Sequence, residues 1–293
     1  MSVAVEYAGQ TDVGRVRKNN EDHFLIADLV KQLRAVQTSL LPPHAGGWKS
    51  GTLGHLFVVA DGMGGIAGGE IASGLAVETI SWYVAKTMPW FYRYQDGREK
   101  ELEKELKHAF EVVQDTVTDA AANSRFGRMG TTLTLACVLW PRVYVVHAGD
   151  SRCYIRRDGK LTRCTTDHTV AQRAVDEGVL TAAQAEAAGL GNTLWNCIGG
   201  GTKDVTPELY HATLQAGDEL LVCTDGLSRR LDDDAILAIL KESKTPQLAT
   251  QALIDAANKA GGEDNITVIV ARTRPTHDPN ATPPDGVALA QTA

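Results

Sequence analysis

The chain has 293 residues, of which 43% are hydrophobic and 22% charged, and its formal net charge is −7. That balance supports a substantial core and excludes wholesale disorder, while the acidic excess excludes nucleic acid as a partner, since neutralising a phosphate backbone takes a surplus of Lys and Arg. Five cysteines without paired spacing, several in apolar runs such as 220–223, point to reduced, buried thiols. No basic-then-apolar leader and no apolar stretch of about 18 residues occurs, so the expectation is a soluble, cytoplasmic protein with no membrane partner.

In chain order, β-rich runs are expected at 3–8, 23–28 and 55–60. Between the last two, 29–54 reads as an inserted loop on its Pro42, Pro43, Gly46 and Gly47. Helices are expected over 70–87 and 99–123. In the second, Leu102, Leu106, Phe110, Val113 and Val117 recur at three-to-four spacing with Glu and Lys opposite. Strands at 133–139 and 142–148 flank Trp140-Pro141, and strands at 152–156 and 161–164 flank Asp158-Gly159, a hairpin signal. The Ala-rich stretch 168–188 reads as short helices. A strand at 219–223, helices at 233–241 and 246–260 and a strand at 266–271 follow. Beyond 272, Pro275, Pro279, Pro283 and Pro284 mark 273–293 as a disordered tail. Hairpin-linked strands between helix pairs, without β-α-β alternation, give an α+β class with antiparallel sheets.

The chemistry sits where apolar strands stop. Leu56-Phe57-Val58-Val59-Ala60 runs into Asp61-Gly62-Met63-Gly64-Gly65, Val143–Ala148 into Gly149-Asp150-Ser151, and Leu220–Thr224 into Asp225-Gly226, while Glu263-Asp264-Asn265 precedes the last strand. A single Asp-Gly is more often a turn than a ligand, and Asp96-Gly97, Asp158-Gly159 and Asp285-Gly286 supply that reading here. Repetition at the ends of buried strands points elsewhere. Converging carboxylates need a counter-charge, and an oxygen-only donor set without His clusters or Cys pairs suits Mg²⁺ or Mn²⁺ over zinc.

Taken in order, Thr11-Asp12-Val13-Gly14-Arg15-Val16-Arg17-Lys18-Asn19-Asn20-Glu21-Asp22, Val59-Ala60-Asp61-Gly62-Met63-Gly64-Gly65, Met129-Gly130-Thr131-Thr132, Gly149-Asp150-Ser151-Arg152, Asp167-His168-Thr169, Thr224-Asp225-Gly226-Leu227 and Gly262-Glu263-Asp264-Asn265-Ile266-Thr267 resemble the motifs of the bacterial metal-dependent serine/threonine protein phosphatases of type 2C. The resemblance spans about residues 5–271 and implies a four-layer α/β/β/α sandwich of two antiparallel sheets flanked by helix pairs. It makes 1–272 a catalytic domain, with 168–205 its flap region. Arg17, Asp22 and Asp61 become the catalytic residues, Arg17 gripping the substrate phosphate. Asp61, the Gly62 carbonyl, Asp225 and Asp264 become ligands of two Mn²⁺ or Mg²⁺ ions. Asp150, with Asp225, corresponds to a third, weaker site, and Glu21, Asp22 and Asn265 support the ligands from behind.

The implied reaction is hydrolysis of phosphoserine or phosphothreonine in proteins by metal-activated water, without a covalent phosphoenzyme. The implied partners are phosphorylated proteins and an opposing serine/threonine kinase. Met63 stands where eukaryotic members carry a His proposed as the leaving-group acid, so the resemblance assigns no general acid. The stretch from Ala188 to Asn196 lacks the usual His-Pro and Arg, which places the expected difference in substrate choice in the flap and in 29–54. The alternative is a catalytically weak phosphatase-like regulatory or binding module. A dinucleotide-binding reading of Gly62-x-Gly64-x-x-Ala67 and an esterase reading of Ser151 rank lower, since no ribose-binding acid follows the first helix and no Asp-x-x-His occurs.

Overall fold

The computed structural model describes residues 3–30, 32–33, 48–49, 52–64, 68–87, 99–124 and 127–275. Most of the expected 29–54 insertion and the tail from 276 onward lie outside the described residues. The chain opens with β1 (Val3–Asp12), β2 (Asp22–Leu29), the short pair β3 (Gln32–Leu33) and β4 (Trp48–Lys49), and β5 (Gly54–Met63). Two long helices follow, α1 (Gly68–Thr87) and α2 (Glu99–Ala122), then β6 (Gly130–Thr131), β7 (Leu133–Leu139), β8 (Arg142–Ala148), β9 (Arg152–Arg157) and β10 (Lys160–Arg163). The flap segment holds α3 (Val170–Asp176), α4 (Ala182–Ala187) and a 3₁₀ turn at Leu190–Asn192. The chain continues through β11 (Ile198–Gly199), β12 (Glu208–Thr213), β13 (Glu219–Cys223), α5 (Asp225–Ser228), α6 (Asp233–Glu242) and α7 (Pro246–Lys259) to β14 (Ile266–Pro275).

Apart from the separate β3–β4 pair, the strands form two antiparallel sheets, ordered β1-β14-β13-β9-β10 and β11-β6-β5-β7-β8-β12, with β2 pairing β5 at the side of the second. Continuous apolar strands resolve into layers through the two-residue alternation of side chains. Leu56, Val58 and Ala60 of β5 pack with Ala72, Ala76 and Ile80 of α1 and with Leu102 and Phe110 of α2, while Phe57 and Val59 pack against Leu220 and Val222 of the facing sheet. On that sheet Leu221 and Cys223 turn the other way, onto Ile236 and Leu240 of α6 and Leu253 of α7. Three apolar interfaces therefore separate four layers, helix pair, sheet, sheet and helix pair. The antiparallel pairing of β5 on both sides removes the dinucleotide-binding reading.

One expectation is corrected and one strand is added. The last strand runs past 272 to Pro275, because β1 pairs with it along its whole length, Val3 opposite Pro275 and Asp12 opposite Ile266, so residues 273–275, expected in the tail, belong to the sheet. The strand β12, missed in the sequence, pairs with β8 from Glu208 opposite His147 to Thr213 opposite Arg142.

Candidate functional site

The register of β2 against β5 sets Asp22 directly opposite Asp61. Asp150 follows β8 in a turn, Asp225 begins α5 as β13 ends, and Asp264 stands just ahead of β14. These strand ends open onto one cavity of about 480 Å³ lined by Glu21, Asp61, Gly62, Asp150, Asp225 and Asp264, with Arg17 at its side. Asp22 does not line it. This carboxylate is buried behind Asp61, where its Oδ2 accepts hydrogen bonds from Thr224 Oγ1 at 2.9 Å and Thr267 Oγ1 at 2.7 Å.

Local backbone packing places these groups. A Cβ on Gly62 would come within 2.2 Å of the Gly69 carbonyl oxygen in the first turn of α1, and one on Gly226 within 1.9 Å of the Asn265 carbonyl oxygen. Main chain thus lies against main chain at both strand ends, and only glycine fits. The Asp61 main chain is fixed from both sides, its carbonyl accepting from Thr131 Oγ1 at 2.9 Å and its N–H donating to Thr132 Oγ1 at 3.0 Å. Asn265 ties the N-terminal motif in place: its Oδ1 accepts from the Glu21 N–H at 2.8 Å, and its Nδ2 donates to the carbonyls of Val13 and Asn19 at 3.0 and 2.9 Å.

The electrostatics of this cluster are those of acids crowded together. Burial pushes Asp22 up to about 7, with the charges of Asp225 and Asp264 adding to the rise and the two threonine hydroxyls opposing it. Burial likewise lifts Asp150 to about 7, helped by Asp225 and opposed by Arg229. Asp61 is raised well above the carboxylate range, first by burial and then by the charges of Asp22, Asp225 and Asp150. Burial also raises Asp225, against the opposing charge of Arg229. Two unit charges about 4 Å apart repel by about 4 kcal/mol at an effective dielectric near 20, so this group calls for cations.

The donor set fits divalent ions. Asp22 Oδ1 and Asp225 Oδ1 are buried without a hydrogen-bond partner among the described residues, an arrangement costly unless a counter-charge meets it. Among the described residues the one trio of His and carboxylate atoms within 4.8 Å lies elsewhere, at Glu99, Glu103 and His211. There Arg142 and the Tyr144 hydroxyl engage Glu99, and His211 bonds Glu103 at 3.0 Å. The motif carboxylates are more widely spread and all oxygen, which suits hard cations that keep water ligands.

The remaining expected residues fall into place around the cavity. Arg17 stands half-exposed at its edge, with Nη2 2.8 Å from Asp264 Oδ2. Glu21 lines the wall, and burial raises its carboxyl. Met63 lines the cavity. His168 is buried away from it, bonded to the Gly149 N–H and to Asn196 Nδ2, and serves the fold. Sequence reading missed Thr224 and Thr267, which hold Asp22, and Arg229, whose guanidinium reaches both Asp225 and Asp150. The i, i+4 spacing of Asp225 and Arg229 was the available signal.

The family model described as Protein phosphatase 2C matches residues 44–259. The chain belongs to this family. It is similar to the serine/threonine protein phosphatase PstP of Mycobacterium tuberculosis, 32% identical over 274 residues that cover 92% of this chain and 45% of that protein; the chain thus spans about half the length of that relative. Protein phosphatase PhpP of Streptococcus pneumoniae is 30% identical over 259 residues, covering 88% of this chain and 93% of PhpP. Among solved structures, that of the Mycobacterium tuberculosis phosphatase PstP/Ppp superposes with a TM-score of 0.72 at 32% identity, covering 92% of this chain and 98% of that one. A PstP catalytic domain solved in complex with two manganese ions gives 0.71 at 30% identity, covering 94% of this chain and 100% of that one. These phosphatase 2C structures share the two antiparallel sheets and flanking helices described above.

Proposed function

We propose that the chain hydrolyses phosphoserine and phosphothreonine in cytoplasmic phosphoproteins, opposing a serine/threonine kinase, with Mn²⁺ or Mg²⁺ as its cofactor. The observation that carries this reading is the meeting of Asp61, Asp150, Asp225 and Asp264 at one cavity, backed by two buried carboxylate oxygens without partners among the described residues.

Asp61, the Gly62 carbonyl, Asp225 and Asp264 would hold the ions, with Asp22 and Glu21 supporting them from behind. Bound divalent ions lower the pKa of coordinated water and offset charge on the phosphoryl oxygens. The protein's own part is placement. Arg17, whose planar fork matches phosphate oxygens, turns from Asp264 to the substrate phosphate and orients it over the acids. Thr224 and Thr267 hold Asp22 in one rotamer, so the carboxylate behind Asp61 keeps its position when the charge in the cavity changes. The 168–205 flap and the 29–54 insertion would border the bound phosphoprotein and set which sequences are accepted.

Purified chain with Mn²⁺ is expected to release phosphate from a phosphothreonine peptide, with turnover lost on chelation and restored by added Mn²⁺. Asp225→Asn is expected to reduce it to background. Turnover that survives chelation counts against the metal-dependent reading, and no turnover with any divalent ion favours the regulatory-module alternative.

A further inference from the structure

The Asp150–Asp225 pair, the place where a third, weaker metal ion was expected, is already occupied by a side chain. Arg229 caps the single turn of α5, its N–H donating to the Asp225 carbonyl at 2.9 Å, and the i, i+4 spacing folds its side chain back over Asp225. Nε lies 2.7 Å from Asp225 Oδ2 and Nη2 2.8 Å from Asp150 Oδ2. The remaining nitrogen, Nη1, donates to Asn192 Oδ1 in the flap, and Nη2 also approaches the Gly191 carbonyl at 3.4 Å. Asp225 is thereby divided, with Oδ2 on the guanidinium and Oδ1 buried without a hydrogen-bond partner among the described residues.

The same four residues, Asp150, Asn192, Asp225 and Arg229, line both the acid cavity and a second cavity of about 520 Å³ beneath α3 and α4. The guanidinium therefore stands in the partition between the two. We propose that Arg229 is the resident cation of the Asp150–Asp225 pair, taking the place of a third metal ion, and that it latches the 190–192 turn to the catalytic end of the sandwich. A divalent ion entering between Asp150 and Asp225 has to displace the guanidinium and so release the flap. Lysine, a point charge without a fork, could not span three acceptors on three separate segments.

The inference rests on the metal-dependent reading of the site, and one experiment separates the two. Mn²⁺ bound per folded chain is counted from the EPR signal of the free ion, and amide exchange is followed over 182–196 in the wild type, Arg229→Gln and Asn192→Ala, each with folding checked by circular dichroism. The wild type is expected to hold about two Mn²⁺ with a protected flap. Arg229→Gln is expected to take up a further ion and to exchange several-fold faster across the flap. Asn192→Ala, a change at an exposed position, is expected to loosen the flap with the ion count unchanged. A further ion on the wild type with the flap still protected overturns the proposal, as does wild-type flap exchange in both variants. A wild type that binds no Mn²⁺ sinks the metal reading instead, and the flap measurement on the metal-free proteins still decides the latch.

Discussion

The strand ends that carry the acids and the flap beside them are built in opposite ways. Every residue of β13 is buried, and main chain lies against main chain at Gly62, near the end of β5, and at Gly226 in α5. In the flap no residue of α3 is buried; the segment closes on itself through Val170 N–H to the Thr193 carbonyl and Trp195 N–H to the His168 carbonyl, and Arg229 holds its tip. Tight main-chain packing surrounds the acids, while the α3 side of the flap is loosely held.

That contrast can be broken or sharpened by mutation. After Asp225→Asn, whose expected effect is loss of turnover, the largest is Gly226→Ala. Its new Cβ would meet main chain at 1.9 Å, and a loss of about 3 kcal/mol or more in urea unfolding is expected. Next, Thr267→Val removes one of the two hydroxyls on Asp22. It is expected to cost about 1–3 kcal/mol and to weaken Mn²⁺ binding, measured calorimetrically, by about 10–100-fold. A smaller, pH-dependent effect comes from His147, buried and pushed down to about 3 chiefly by burial. Because the folded ring stays neutral while the unfolded ring takes a proton below its ordinary 6.5, the stability tied to it is complete above about 6.5 and lost as pH falls toward 3. The loss at pH 5 is about 2 kcal/mol. Unfolding of His147→Asn, compared with the wild type across pH 5–8, should show the flatter profile, and the opposite contribution of the raised aspartates cancels in that difference. The smallest effect is expected at Trp195→Ala in the flap, a 37% exposed ring that meets Arg173 at 5.2 Å. Less than about 1 kcal/mol should be lost, and a larger loss would mean that the flap is as tightly built as the strand ends.

What the sequence disclosed divides along physical lines. Strands 133–139, 142–148 and 219–223 were readable to the residue, because apolar runs bounded by turn signals are local features, and α2 was readable from its one apolar face. Asp61, Asp150, Asp225 and Asp264 could be picked out as strand-end acids, and the family resemblance implied their convergence. What stayed hidden depends on distant partners. The strand β12, Glu-Leu-Tyr-His-Ala-Thr, is polar and partly exposed, and is defined only by its pairing with β8. Thr273–Pro275 become strand because Val3–Val5 lie beside them, with Thr273 also bonded to Gly217 and Asp218. Arg229 reads as an ordinary surface arginine until the turn of α5 and the flap bring three acceptors to it.

The Asn265 amide, stitched to Val13, Asn19 and Glu21, joins segments at opposite ends of the fold, and among the described residues β1 has no sheet neighbour but β14. Arg17 therefore leaves the ribosome long before Asp264, the acid it pairs with, and the cavity cannot be lined in full until that last stretch has been made. A polypeptide that stops short of Asp264 lacks both the carboxylate facing Arg17 and the amide that gathers the N-terminal segment.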